Sequence, residues 1–410
     1  MPTTHDPYSA LRVRDFRWFI TSLLTQTLGT QIQAVVVGWQ VYSYTRDPLS
    51  LGLIGLAEAL PFIATALYAG HIADRLNRRR INLAALVVLV GCSLGLLGLT
   101  AAGEISAGHV WPVYVIIFLS GIARSFLQPA RTALSAELVS RDLYHNAITW
   151  RSSTWQFAAV AGPALGGLLY GFSGPTVAYG VDAALMVFAW FALVEVRHSA
   201  PPAAPTSTPI LQSLLTGIRF VRSERLLLGA ITLDLFAVFF GGAEALLPVF
   251  AAEILHTGPR GLGVLRAAPA AGAVLMSVFL SHRPPFARTG RTLFFAVSAF
   301  GICMIGFGLS RSFWLSLGLL FLAGMADNAS VVIRSTLLQL LTPDAMLGRV
   351  SSVNNIFIGS SNEIGAFESG VAAKLMGTVP SVVFGGLMTL LVVGVMTLRL
   401  PELRKLGRLT

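Results

Sequence analysis

The chain has 410 residues, 54% of them hydrophobic and only 12% charged, with a formal net charge of +10 at pH 7. Soluble domains carry about 25% charged residues, so a water-soluble globular protein is excluded. The basic residues sit in short clusters between long apolar runs, which argues against a nucleic-acid-binding surface.

Runs that are apolar on every face and about 20 residues long match a bilayer core of about 30 Å, and twelve such spans are predicted. Residues 1–15 are polar and the first apolar segment, 16–40, has full spanning length, so it is expected to stay as a helix and not to be cleaved as a leader. The next five spans are predicted over 50–71, 81–102, 110–136, 146–171 and 176–196. Pro201 to Pro209, a Pro/Ala/Thr stretch, then reads as a linker. After it, Ile210, Leu214, Ile218 and Val221 fall at helical spacing beside Arg219, Arg222 and Arg225. This pattern predicts a short amphipathic helix, lying on the anionic leaflet or acting as a plain connector. Six further spans follow over 226–252, 261–281, 292–310, 313–340, 351–374 and 380–399. The expected organisation is an all-α integral membrane protein: a six-helix bundle over 1–196, a cytoplasmic linker with a short helix over 197–225, and a second six-helix bundle over 226–410.

Arginines cluster at Arg12, Arg14 and Arg17, at Arg75 and Arg78 to Arg80, in the central connection, at Arg283, Arg288 and Arg291, and at the C-terminus. The alternate connections hold single basic residues such as Arg46, Arg311 and Lys374. With an even number of spans every rich cluster falls on one side, the positive-inside pattern, which places both termini in the cytoplasm of a bacterial inner membrane. Cys92 and Cys303 lie inside apolar spans and read as small buried side chains.

The halves repeat. Arg131-Thr-Ala-Leu in the first is answered by Arg334-Ser-Thr-Leu in the second, and Ser50-Leu-Gly-Leu by Gly261-Leu-Gly-Val. Repeated halves are how many secondary transporters place a substrate site near the bilayer midplane.

The loop between the second and third spans reads Gly70-His-Ile-Ala-Asp74-Arg75-Leu-Asn-Arg78-Arg79-Arg80. It resembles the signature of the major facilitator superfamily, Gly-x-Leu-Ala-Asp-Arg-x-Gly-Arg-Arg, with Asn77 where the family has its second glycine; Asn also tolerates left-handed backbone. The resemblance implies a latch: Asp74 against the positive start of the eleventh helix, and the arginines against an acid ending the fourth, for which Glu137 is the candidate. Plain positive-inside charge explains the arginines but not the Gly-to-Asp spacing. The second half carries a worn copy around Ser281-His-Arg-Pro-Pro without an acid, so the latch is expected to be one-sided.

In the fifth span Gly162-Pro163-Ala-Leu-Gly166-Gly167, with Gly171 beyond, supplies small-xxx-small pairs that let helices approach closely, and Pro163 removes a backbone donor. The pattern is similar to the superfamily's antiporter motif, which implies export; tight packing alone is the plainer account. Ser361-Asn-Glu363-Ile-Gly-Ala-Phe-Glu368-Ser-Gly370, Leu11-Arg-Val-Arg-Asp-Phe-Arg17 and Leu265-Arg266-Ala-Ala-Pro269 look like the branch of siderophore (enterobactin) and drug exporters.

Ionisable groups inside spans are costly and therefore functional candidates. A carboxylate in an apolar setting holds its proton more tightly than in water, which is what proton coupling needs. Glu363, Asp234 and Glu244 are the first candidates for coupling or substrate binding, with Glu58 and Glu368 behind them; an acid–arginine pair fixing helix register is the competing account. Asp182 and Asp327 read as structural or end-of-helix groups, and Arg124 as a cavity-facing base for an anionic substrate. Gln31, Gln33, Trp39, Gln40, Tyr42 and Phe157 are candidates for a cavity lining or for membrane anchoring.

The function expected is secondary active transport by alternating access: proton-coupled export of a siderophore-like or drug-like organic molecule by a monomer. A lipid or lysolipid flippase and a non-transporting sensor of the same fold are the alternatives. The sequence has no His-Glu-x-x-His helix, no Gly-x-Ser-x-Gly elbow and no histidines at ligand spacing, so neither an enzyme nor a metal or cofactor is expected.

Overall fold

A computed structural model describes residues 6–197, 210–241, 243–283, 286 and 288–407; at helical positions 66, 67, 70, 71, 73–75, 210–214, 344, 345, 352 and 355 it describes the backbone alone. The linker at 201–209 lies outside the described residues.

The described chain is built from helices: α1 (Arg14–Thr45), α2 (Pro48–Arg75), α3 (Arg78–Ala101), α4 (Trp111–Glu137), α5 (Tyr144–Val194), α6 (Ile210–Ser223), α7 (Arg225–Phe240), α8 (Gly258–Ser281), α9 (Thr289–Leu309), α10 (Phe313–Leu341), α11 (Asp344–Met376) and α12 (Thr378–Arg399). Among the described residues nine helical segments are long and apolar enough to cross a membrane. One of these, Arg141–Val194, is 54 residues long, or about 80 Å at 1.5 Å per residue, more than twice a bilayer core. It breaks at Gly174 (φ 81°, ψ 174°), a conformation open to glycine, and Pro175 restarts it. Two more helices, α1 with 32 residues and α11 with 33, have spanning length but carry more polar side chains.

Helix ends follow local chemistry. Asn77 caps α3, its side chain accepting from the Arg80 amide at 3.1 Å. Gly377 (φ 93°) separates α11 from α12. The sequence predicts an unbroken span over 226–252. Instead α7 stops at Phe240, and the chain continues through a 3-10 turn, Ala243–Leu246, a short helix, Leu247–Val249, and a π-turn, Phe250–Ile254. The break falls where the sequence reads Gly241-Gly242, two poor helix formers, and at the point where a methyl on Gly385 of α12 would overlap the Phe240 carbonyl.

The chain forms two compact units, Met1–Gln40 with Leu60–Ser207, and Val41–Ala59 with Thr208–Thr410. In the first, Phe16 and Phe19 of α1, Leu86 and Leu89 of α3, Leu127 and Leu134 of α4, and Met186 and Leu193 of α5 make the core. The second has a core of Leu233, Leu293, Phe294, Val297, Ile333, Leu337 and Val393. Here α8 and α10 cross with backbones in contact, since a methyl on Gly272 or Gly324 would overlap the Phe321 or Pro269 carbonyl. Helix α6 packs along α11: Val221 and Ile218 join a cluster with Val350 and Val353, while Arg219 and Arg222 stay exposed. Large apolar side chains such as Leu398 (81% exposed) and Phe295 (74% exposed) point outward, the pattern of a surface that meets lipid.

Candidate functional site

Charged and polar groups inside the helical units fall into four sets, two in each unit.

At one end of the first unit Arg78, the first residue of α3, pairs with Glu137, the last of α4. Each charge alone sits at the wrong helix end, a cation at a positive N-terminus and an anion at a negative C-terminus. The pair cancels both conflicts. Arg79 donates to the carbonyl of Val194, the last residue of α5, at 2.8 Å, satisfying an acceptor that the helix leaves open. The loop arginines thus tie the start of α3 to the ends of α4 and α5. The backbone of Gly70, Asp74 and Arg75 is helical and continues α2; their side chains lie outside the described residues.

Deeper in the same unit Arg131 of α4 donates to the Gln26 side chain of α1, beside a small gap of about 10 Å³, the size of one water, that Ser22 and Asn82 also line. Arg124 and Arg151 lie near enough to act on the Arg131 charge. Gln33 and Gln40 are buried between helices: Gln33 bonds to Asp182 of α5 at 3.1 Å, and Gln40 accepts from Tyr179 at 2.8 Å. Asp182 therefore stands mid-helix, not at a helix end. Gly162 and Gly166 of α5 pack against α1, where a methyl on Gly166 would lie 3.0 Å from the Ile32 carbonyl; Pro163 and Gly167 are buried alongside. Phe157 is exposed.

In the second unit Asp234 of α7 is paired with Arg334 of α10. Asp327, two turns before Arg334, lies in the field of both Arg334 and Asp234. Beyond the break in α7, Glu244 on the 3-10 turn and Glu363 on α11 act on Arg266 of α8, and Asp327 also reaches Glu244. Glu244 is exposed on its turn and forms the accessible edge of this charged cluster. Four acids thus share two arginines. Glu368 lies half-buried on α11 and Glu58 half-buried on α2.

The last set fastens segment 41–59 into the second unit. The Tyr42 hydroxyl donates to Glu253, and Asp47 meets Lys374 at 2.7 Å. Gly52 and Gly370 are so close that a methyl on Gly370 would lie 2.7 Å from the Gly52 Cα. Gly55 sits equally close to α11, where a methyl would lie 2.8 Å from the Ala366 Cβ.

Arg131 and Arg334 are the interior charges that sequence reasoning passed over. Both were visible as the matching first residues of the repeated Arg-x-x-Leu segments, and the structure gives both a partner on the first helix of the half, Gln26 on α1 and Asp234 on α7. No cluster of three or more His, Cys, Asp or Glu side chains suited to a metal ion occurs among the described residues.

Comparison with known proteins agrees with this architecture. The family described as transmembrane secretion effector matches residues 5–408. The enterobactin exporter of Shigella flexneri is 27% identical over 394 residues, covering 95% of this chain and 92% of the relative. That of Citrobacter koseri is 27% identical over 399 residues with the same coverage. Among solved structures, a peptide transporter POT in complex with sulfate superposes with a TM-score of 0.76 at 12% identity, covering 99% of this chain and 100% of that one. The human organic anion transporter MFSD10 (TETRAN) superposes with a TM-score of 0.63 at 18% identity, covering 93% and 99%. All four are transporters, not enzymes.

Proposed function

Because the chain belongs to the transmembrane secretion effector family of the major facilitator superfamily, we propose that it is a proton-coupled exporter of a siderophore-like or drug-like organic molecule, working by alternating access. The observation that carries this reading is the similarity to enterobactin exporters over 95% of the chain. The charged cluster of Glu244, Arg266 and Glu363 supports the coupling. An acid that shares its arginine with another acid binds and releases a proton at lower cost than one in a closed pair, and accessibility at Glu244 gives the proton a route.

In this reading twelve spans cross the inner membrane of a bacterium, in six-helix halves over 1–196 and 226–410 joined by a cytoplasmic linker, with both termini cytoplasmic and the protein acting as a monomer. Arg78 and Glu137, with Gly70, Asp74, Arg75 and Arg79, form the gating latch. Gly162, Pro163, Gly166 and Gly167 provide the tight helix packing of an antiporter. Asp234, Glu244, Glu363, Glu58 and Glu368 are coupling candidates, and Arg124 is a substrate contact.

The test is flux in proteoliposomes under an imposed proton gradient, with labelled enterobactin, a labelled macrolide and a fluorescent lysolipid as separate cargoes. Gradient-dependent movement of either of the first two, reduced in Glu363→Gln, is the expected result. Movement of the lysolipid alone identifies a flippase, and undiminished flux in the variant removes Glu363 from coupling.

A further inference from the structure

Asp182 is fully buried, with 0% of its surface exposed, in the middle of the second half of α5. It contacts two other helices through neutral groups. The Gln33 amide of α1 donates to Oδ2 at 3.1 Å and also reaches the Ser93 hydroxyl of α3 at 3.4 Å, and that hydroxyl bonds to the carboxyl as well. The second oxygen, Oδ1, has no hydrogen-bond partner. It faces Gly29 of α1, where a methyl would lie 2.9 Å away, so the glycine lets the carboxyl seat against helix backbone. No arginine, lysine or histidine pairs with Asp182 among the described residues. The titratable groups in its field are Cys92 of α3 and Tyr179 one turn earlier on α5, and neither is a cation.

A sealed carboxylate ion without a cation is far costlier than the neutral acid. Every other buried or half-buried acid discussed above has an arginine, a lysine or an accessible edge. A metal ion does not fit, because the atoms turned toward the carboxyl are an amide N–H and a hydroxyl, with a helix backbone closing the remaining side.

The polar groups continue away from Asp182 in one direction. Seven residues further along α1 and α3, Gln40 and Thr100 repeat the Gln33 and Ser93 layer, with Gln40 donating to Thr100 at 3.3 Å and accepting from Tyr179. Seven residues rise about 10 Å, and Thr100 stands one residue from the end of α3, at the end far from Arg78. A second polar layer therefore stands between the end of α3 and the layer that holds the carboxyl.

We propose that Asp182, held by Gln33 and Ser93, is a proton-binding residue of the transport cycle, loaded from the side on which the Thr100, Gln40 and Tyr179 layer lies, opposite the arginine clusters. The proposal rests on the proton-coupled reading above and adds a site in the first compact unit, where that reading names no acid for coupling. The step is a proton association: the acid O–H forms when the proton arrives and breaks when it leaves toward the cytoplasm.

The test compares wild type, Asp182→Asn and Asp182→Glu in proteoliposomes with labelled enterobactin, reading gradient-driven accumulation and gradient-free counterflow separately. Asn keeps the shape and the hydrogen bonds but binds no proton. Loss of accumulation with counterflow retained in Asp182→Asn, and accumulation regained in Asp182→Glu, is the expected result. Accumulation retained in Asp182→Asn overturns the proposal. Should both activities fall together, the infrared carboxylic-acid band of wild type minus Asp182→Asn decides: a band that changes on adding enterobactin upholds it, and no such band overturns it. A wild type without gradient-driven accumulation defeats the exporter reading instead, and the infrared measurement then judges Asp182 by itself.

Discussion

At the scale of single residues, the pairing of Arg78 with Glu137 is decided by where the helices end. Both side chains are about four-fifths buried, so the pair is screened less than a surface bridge. Glu137→Gln leaves Arg78 facing the positive end of α3 alone, with an expected loss of about 1–2 kcal/mol. The exchange Arg78→Glu with Glu137→Arg keeps the pair and turns each charge toward the helix end that favours it. It is expected to unfold in detergent at or above the wild-type temperature, and an exchange less stable than Glu137→Gln would refute the dipole account. The motif was legible in the sequence because its spacing is local. The partners of Asp234 were not, because Arg334 lies 100 positions along the chain and only helix packing brings the two together.

At the scale of helices, small residues matter only where backbones meet. Gly324 of α10 lies against the Pro269 carbonyl of α8, while Gly91 of α3 has nothing within 4 Å of where a methyl would sit. Gly324→Ala is therefore expected to cost roughly 1–3 kcal/mol by forcing the helices apart. Gly91→Ala is expected to be neutral or to add about 0.5–1 kcal/mol, since alanine loses less entropy in a helix. Thermal unfolding of the two variants in one detergent checks the contrast, and equal shifts would refute it. Apolar periodicity found the helices themselves. It missed the break in α7, because a count of apolar residues ignores the local turn signal Gly241-Gly242 and the close approach of Gly385 to the Phe240 carbonyl is not encoded locally.

For the whole molecule, membrane residence follows from an apolar content that water cannot accommodate, and the proposed orientation, with both termini cytoplasmic, is argued from where the arginines fall. Alkaline phosphatase, which is active only outside the cytoplasm, is expected to be active when fused within 103–108 and inactive within 201–209 or after Thr410. A fluorescent protein that matures only in the cytoplasm should report the reverse. Phosphatase activity at the C-terminal fusion would overturn the assignment of the termini.

The sequence by itself determined that this chain lives in lipid as a bundle of helices built from two related halves, since hydropathy, helix length and repeat spacing are sums over neighbouring residues. Only the tertiary structure decided which buried charges are neutralised and which are not. Asp234 and Asp182 are each a single acid within an apolar span, and the sequence reading put the first among the coupling candidates and the second among the structural groups. The first is held by an arginine and the second by an amide, a hydroxyl and a glycine, a difference set by distances between helices that no local pattern encodes.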